Sequence, residues 1–267
     1  MRVLFLGDMV GKPARRAVAK FLRENRESRK IDVVIANSDN LAHGRSVTRN
    51  TVKEILSSGV DIVTCGDHAW DNSQAFDILK TGDLNFVAPA NLKDMDTNLC
   101  GKIFEISGKK ILVINLMGRV FIEKETVSPF EVVEKILEEN GKMENIKMII
   151  VDFHAEATSE KRALGEYLSG RVSAVLGTHT HVQTADEMII GEKMAYISDA
   201  GMCGVRNSIL GCERQAVLDQ FINNTAFKYK LAEEPEVLLE GVIMEIDENT
   251  GKAIKVDRLK ETVFVED

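Results

Sequence analysis

Val172-Ser-Ala-Val-Leu-Gly-Thr-His-Thr-His181 is a short apolar, β-branched run that stops at Gly177 and is followed by histidines at i and i+2. The run reads as a buried strand. Side chains two apart in extended chain point the same way, so His179 and His181 are expected to converge just beyond a strand end. Neutral imidazole is the commonest side-chain metal ligand. Taken alone, such a pair is more simply a turn cap and a solvated histidine. How the other strands end decides between these readings.

Four further apolar runs end alike. Residues 2–7 lead into Asp8, 32–36 into Asn37-Ser-Asp39-Asn40, 61–65 into Gly66-Asp67-His68, and 148–151 into Asp152-Phe-His154. A single Asp after a strand is usually a helix cap or a turn residue. Five endings of this kind, using four of the five histidines, point instead to one shared metal site. In open α/β sheets ligands collect at the carboxyl ends of strands, and parallel neighbours are expected to place these groups on one edge.

Between the strands, helical spacing covers 14–27 (Ala17, Val18, Phe21, Leu22), 48–58 with Thr48 as N-cap, 72–80, 129–140 between Ser128-Pro129 and Gly141, and 158–169. A short strand is expected at 85–91 and a hairpin at 102–106 and 110–116 around Ser107-Gly108-Lys109. A strand at 194–197, an amphipathic segment at 213–223 and two strands at 236–246 and 252–259 complete the chain. No linker, repeat or low-complexity segment interrupts it. The expectation is one domain over residues 1–267, an α/β sandwich of mixed β-sheets flanked by helices.

Bulk properties exclude several classes. The chain has 267 residues, 44% hydrophobic and 28% charged, with a net charge of -8. An acidic chain is a poor non-specific binder of duplex nucleic acid, which needs a basic phosphate-facing surface. The four cysteines (Cys65, Cys100, Cys203, Cys212) form no C-x-x-C pair, which fits reduced thiols in a cytoplasm. The apolar run 3–6 is too short for a signal peptide or a membrane span, and no later stretch approaches the ~20 residues a span needs.

Carboxylates with neutral imidazoles and no thiolates suit iron or manganese first, with zinc after them. The donors outnumber the four that one tetrahedral zinc takes. The count suits two metals sharing a carboxylate, the usual arrangement for hydrolysing phosphate esters.

Gly7-Asp8, Asn37-x-x-Asn40, Gly66-x-His68-x-Trp70-Asp71, the stretch Asp152-Phe-His154-Ala-Glu-Ala-Thr-Ser-Glu160, Gly177-Thr-His-Thr-His-Val-Gln-Thr-Ala-Asp186 and Ser198-Asp-x-Gly-Met202 together resemble the YmdB-type bacterial metallophosphoesterases. These are calcineurin-like phosphoesterases that hydrolyse cyclic nucleotides, notably 2′,3′-cyclic AMP. The resemblance runs over nearly the whole chain. It implies a calcineurin-like sandwich in which Asp8, Asn40 and His181 hold one metal, Asp67, His154 and His179 hold the other, and Asp39 bridges them. It implies that His68 protonates the leaving oxygen after attack by a metal-bound hydroxide. An imidazole can supply that proton near neutral pH. Two positions depart from the family's pattern: Asp39 stands where Glu is usual and Asp67 where Asn is usual. The extra carboxylate at 67 is expected to tighten cation binding, weaken the ions as Lewis acids and repel phosphate.

The function expected is a dinuclear metal-dependent phosphodiesterase acting on a small cyclic nucleotide. Two rivals are a metal- and nucleotide-binding regulator with lost catalysis, motivated by Asp39 and Asp67, and a broad phosphomonoesterase. The expected partner is a small phosphoester. No membrane contact is expected, and an exposed edge after the final hairpin leaves room for a homo-oligomer. Other residues take plain readings: His43 as a solvated loop histidine, Gly11-Lys12-Pro13 as a loop opening a helix, and Trp70 and Cys203 as packing.

Overall fold

The computed structural model describes residues 1–71, 73–93, 95, 101–140, 146–224, 226 and 230–266. Gly141 and Cys100 lie outside them. Strand and helix alternate first: β1 (Arg2–Leu6), β2 (Asp8–Met9), α1 (Gly11–Asn25), β3 (Val33–Asn37), α2 (Arg49–Ser57), β4 (Ile62–Thr64) and α3 (Gln74–Thr81), with a 3-10 turn at Asp67–Asp71 before α3. A hairpin, β5 (Gly101–Ile106) and β6 (Lys109–Met117), opens the second part. It continues through α4 (Pro129–Asn140), β7 (Ile146–His154), α5 (Thr158–Leu168), β8 (Ala174–Thr178), β9 (Met188–Ile190), β10 (Met194–Ile197), β11 (Met202–Val205), α6 (Arg214–Asn223), β12 (Glu236–Ile246) and β13 (Ala253–Phe264).

Two mixed sheets result. In the first, β1, β3 and β4 run parallel, and β12 pairs antiparallel with β1, β11 and β13. In the second, ordered β5-β6-β7-β8-β10-β9, the four central strands are parallel and both edges antiparallel. Strand side chains alternate between faces. Val3, Phe5, Val33 and Ile35 therefore share one buried cluster with Val113, Ile150, Leu176 and Ile197 of the other sheet. Their neighbours Leu4, Leu6, Val34 and Ala36 turn the other way and share a cluster with Ala17, Val18 and Phe21 of α1. Each sheet thus packs one face on its partner and the other on helices, the α/β sandwich expected from the strand–helix pattern.

The differences from expectation are local. Thr48 caps α2 as expected, its side chain accepting from the Thr51 amide. Residues 85–91 form no strand beyond a single bridge from Phe86 to Val63. Pro89 has no N–H for a ladder, and the Asn91 side chain bonds the Met117 backbone instead. The segment at 213–223 is helical, but only Val217 turns inward, while Phe221 and Ile222 are exposed. No helix among the described residues is long and apolar enough to cross a membrane.

Candidate active site

The five ligand-bearing strand ends meet, but not on one sheet edge. Asp8, Asp39, Asn40, Asp67 and His68 follow β1, β3 and β4 of the first sheet, whereas His154, His179 and His181 close β7 and β8 of the second. The expectation of a single edge is corrected to two carboxyl edges brought together by sandwich packing. His154 is itself the last residue of its strand, and it abuts Gly66 so closely that a Cβ there would lie 2.3 Å from its Nε2.

The i, i+2 argument for His179 and His181 also needs correction. Strand β8 ends at Thr178, and both histidines have positive φ, 101° and 61°. Such backbone is disfavoured and persists only where its surroundings hold it. Asp199 supplies the hold. Its Oδ2 accepts from the Thr180 amide (3.0 Å), the Thr180 hydroxyl (2.8 Å) and the buried Lys161 ammonium (2.7 Å). The two imidazoles consequently diverge into two groups of donors.

In one group His181 Nε2 lies 3.0 Å from Asn40 Oδ1 and 3.9 Å from Asp8 Oδ1. In the other, His154 Nε2 lies 3.0 Å from His179 Nδ1 and 3.1 Å from Asp67 Oδ1. Asp39 Oδ2 sits 3.6 Å from His154 Nε2, while its Oδ1 accepts from the His68 amide at 3.0 Å. All eight residues named from the sequence are therefore brought together.

The remaining nitrogen of each imidazole assigns its tautomer. His181 Nδ1 meets the Leu210 carbonyl at 3.1 Å, which can only accept. His154 Nδ1 meets the Thr178 hydroxyl at 3.0 Å, and that hydroxyl donates onward to Asp152 Oδ1 at 2.7 Å. His179 Nε2 faces the Glu156 carboxylate at 3.3 Å. Each ring thus spends its proton on the outside and turns a lone pair inward. Asn40 likewise donates its amide hydrogen to the Gly44 carbonyl and turns its oxygen inward. The inner contacts are then acceptor against acceptor, which is repulsive unless a cation or a proton lies between them. Asp8 Oδ1 is buried with no hydrogen-bond partner. Two groups of convergent acceptors and an orphaned carboxylate oxygen fit bound cations.

The electrostatics agree. Burial, with nearby Asp199, pushes Asp8 up to about 8, and burial with Asp67 and Asp8 holds Asp39 well above the usual carboxylate range. Burial pushes His154 down to about 3 and also lowers His179 and His181, so these imidazoles stay neutral, as ligation requires.

Sequence reasoning missed the residues that orient these groups. Asp152 is fully buried, accepts from Thr64, Thr178 and Asn37, and so ties both sheets together behind the donors. Burial raises its carboxyl to about 7. Asp71 accepts from His68 Nδ1 at 2.9 Å and from Lys124 at 2.8 Å. Both aspartates lie inside the quoted motif stretches, but nothing in their spacing separates an orienting carboxylate from a ligand. His43 is exposed, as expected. Trp70 is partly buried against the core and Cys203 is buried.

A cavity of about 750 Å³ opens beside Asp67, His68 and His179, and one of about 340 Å³ beside Asp39, Asn40 and His181. Arg45 lines both and has no ion-pair partner among the described residues. A cavity of about 740 Å³ between α6 and residues 230–234 holds none of these groups.

The chain is 40% identical to the 2′,3′-cyclic-nucleotide 2′-phosphodiesterase of Bacillus subtilis over 97% of this chain and 96% of that protein. A Thermus thermophilus crystal structure superposes with a TM-score of 0.89 at 33% identity, covering 98% of this chain and 100% of that one. A Mycoplasma pneumoniae structure described as a novel phosphatase superposes at 0.87 and 31% identity, covering 99% and 94%. The model of the YmdB-like protein family matches residues 4–259, and the chain belongs to that family.

Proposed function

We propose that this chain, as one catalytic domain, is a dinuclear metal-dependent phosphodiesterase that hydrolyses small cyclic nucleotides such as 2′,3′-cyclic AMP. The observation that carries the reading is the pair of acceptor groups. Asp8, Asn40 and His181 would hold one ion, Asp67, His154 and His179 the other, and Asp39, beside His154 and electrostatically coupled to both Asp67 and Asp8, would be shared between them. Two ions there, iron or manganese by donor type and zinc after them, would supply positive charge to the phosphate and acidity to a bound water. The substrate class comes from the B. subtilis relative, whose name states that activity.

The chain's own residues account for the rest. Arg45, on the rim of both cavities, contributes a cation for phosphate oxygens. His68 is held through Nδ1 by Asp71, which leaves Nε2 as the atom that delivers a proton. Opening a cyclic diester releases a ribose alkoxide, and that oxygen receives the His68 proton.

The test is hydrolysis of 2′,3′-cyclic AMP by manganese-loaded protein beside His68→Ala and Asp67→Asn. His68→Ala is expected to lower kcat by roughly 10²–10⁴-fold, the usual worth of general acid catalysis, while metal content holds. Loss of both metal and turnover would make His68 structural. Asp67→Asn is expected to keep turnover and weaken cation binding. Activity appearing only in Asp67→Asn would favour a binding protein built on this site, and faster monoester than diester hydrolysis would favour a phosphomonoesterase. Neither rival has a structural observation in its favour.

A further inference from the structure

The residues above account for the phosphate and leave the rest of a nucleotide unaddressed. The 340 Å³ cavity is about half the volume of the 750 Å³ cavity, and only the larger is lined by an aromatic side chain, Phe121. Phe121 is 85% exposed, the most exposed of the large hydrophobic side chains described. Its backbone is left-handed, with φ 62°, which a bulky residue rarely adopts. Folding energetics alone favour neither feature.

The segment carrying Phe121 is fixed on both sides. The Gly118 amide bonds the carbonyl of His154, and the Arg119 and Val120 amides donate to the Glu160 carboxylate. Beyond Phe121, Lys124 bonds Asp71 at 2.8 Å, and Asp71 bonds His68 at 2.9 Å. The Val127 amide then returns to the Asn91 carbonyl. Phe121 is therefore displayed from an anchored loop that is coupled to the proposed proton donor, on the wall of the cavity that also holds Asp67 and His179.

We infer that Phe121 is the platform on which the nucleobase of the substrate stacks. The inference rests on the reading of the site as one for nucleotide phosphoesters. It deepens that reading by separating a phosphate end, at the metal-binding groups, from a base end at residues 118–124. An exposed aromatic ring at a nucleotide site supplies a π-face to any base. Stacking reads ring area rather than a hydrogen-bond pattern, so the site selects nucleotides over sugar phosphates and purines over pyrimidines. Pre-anchoring the loop reduces the ordering cost of binding.

The experiment is calorimetric titration of the manganese-loaded protein with adenosine 3′-monophosphate and with methyl ribofuranoside 3-phosphate, which lacks the base. The wild type is expected to prefer the nucleotide by about tenfold or more, the scale of one base–aromatic stack. Phe121→Ala should erase most of that preference, Phe121→Trp should keep it, and Phe121→Leu should fall between. An exposed side chain can be exchanged without opening the core, and metal content reports that the site has formed. A wild type with no preference, a preference unchanged in Phe121→Ala, or equal weakening of both ligands in Phe121→Ala would overturn the inference. The titration reads base binding directly. A Phe121-dependent preference without hydrolysis of cyclic AMP would uphold the platform and refute the proposed reaction, and hydrolysis without that preference would do the reverse.

Discussion

The two carboxyl edges that meet at the site contribute unlike things. The edge of β1, β3 and β4 supplies oxygen donors, Asp8, Asp39, Asn40 and Asp67, while the edge of β7 and β8 supplies the imidazoles of His154, His179 and His181. The oxygens bring charge and are under-satisfied: Asp8 Oδ1 has no hydrogen-bond partner, and burial raises both Asp8 and Asp39 above the usual carboxylate range. The imidazoles bring direction, since Thr178, Glu156 and the Leu210 carbonyl each fix one tautomer. Charge and geometry are thus separately placed, and each can be altered while leaving the other.

Breaking the imidazole side at His179 gives the largest effect expected. His179→Ala leaves His154 and Asp67 as an incomplete pair, and affinity for the ion in that group should fall by more than about 100-fold, beyond what losing an orienting partner costs. Elemental analysis after dialysis reads this directly, and an unchanged metal-to-protein ratio would remove His179 from the donor set. A smaller change separates direction from donation. Thr178→Val keeps the side-chain shape but takes the hydroxyl from between His154 Nδ1 and Asp152 Oδ1. The expected loss is roughly 10- to 100-fold in metal affinity with His154 still present. No loss would show that packing alone aims the His154 ring.

This asymmetry also explains what the sequence made legible. The strand ends could be read because buried β-branched runs stop at Gly or at a ligand-type residue, and that pattern is local. The sandwich followed from alternation such as Val3/Phe5 against Leu4/Leu6. The origin of the donors in two sheets could not be read, because it depends on which faces pack after the strands have formed. The strands β2, β9 and β11 span two to four residues, too few to carry a period, and β2 exists only as the partner of Met202 and Cys203. The left-handed backbone at His179 and His181 is imposed by Asp199, some twenty residues away. Asp152 and Asp71 escaped notice for a related reason. A carboxylate that orients a histidine and one that ligates a metal are the same residue type, and only distance tells them apart.

The oxygen side is best sharpened by pH, with a modest effect. Asp8 is pushed up to about 8 and Asp39 well above the carboxylate range, each by burial first. A raised carboxyl stabilises the fold fully below its unfolded value of ~3.9, and that contribution is lost as pH climbs through the folded value. His154, pushed down to about 3 by burial, has the opposite sign. Its contribution is present above the unfolded value of ~6.5 and is lost as pH falls towards 3. Between about 6.5 and 8 the carboxyls therefore dominate, and the metal-free protein should lose Tm as pH rises. Cations take the place of the protons on Asp8 and Asp39, so the metal-loaded protein should escape that loss. Asp152, raised to about 7 by burial with a contribution from Asp8, adds a loss of the same sign, and a cation at Asp8 eases that rise, so Asp152 widens the difference between the two forms in the same sense. Calorimetric Tm measured with chelator and with Mn²⁺ should show a gap that widens from pH 6.5 to 8. A gap that narrows would mean that cations do not displace protons from Asp8 and Asp39, and the division into a charge-bearing edge and a directing edge would fail.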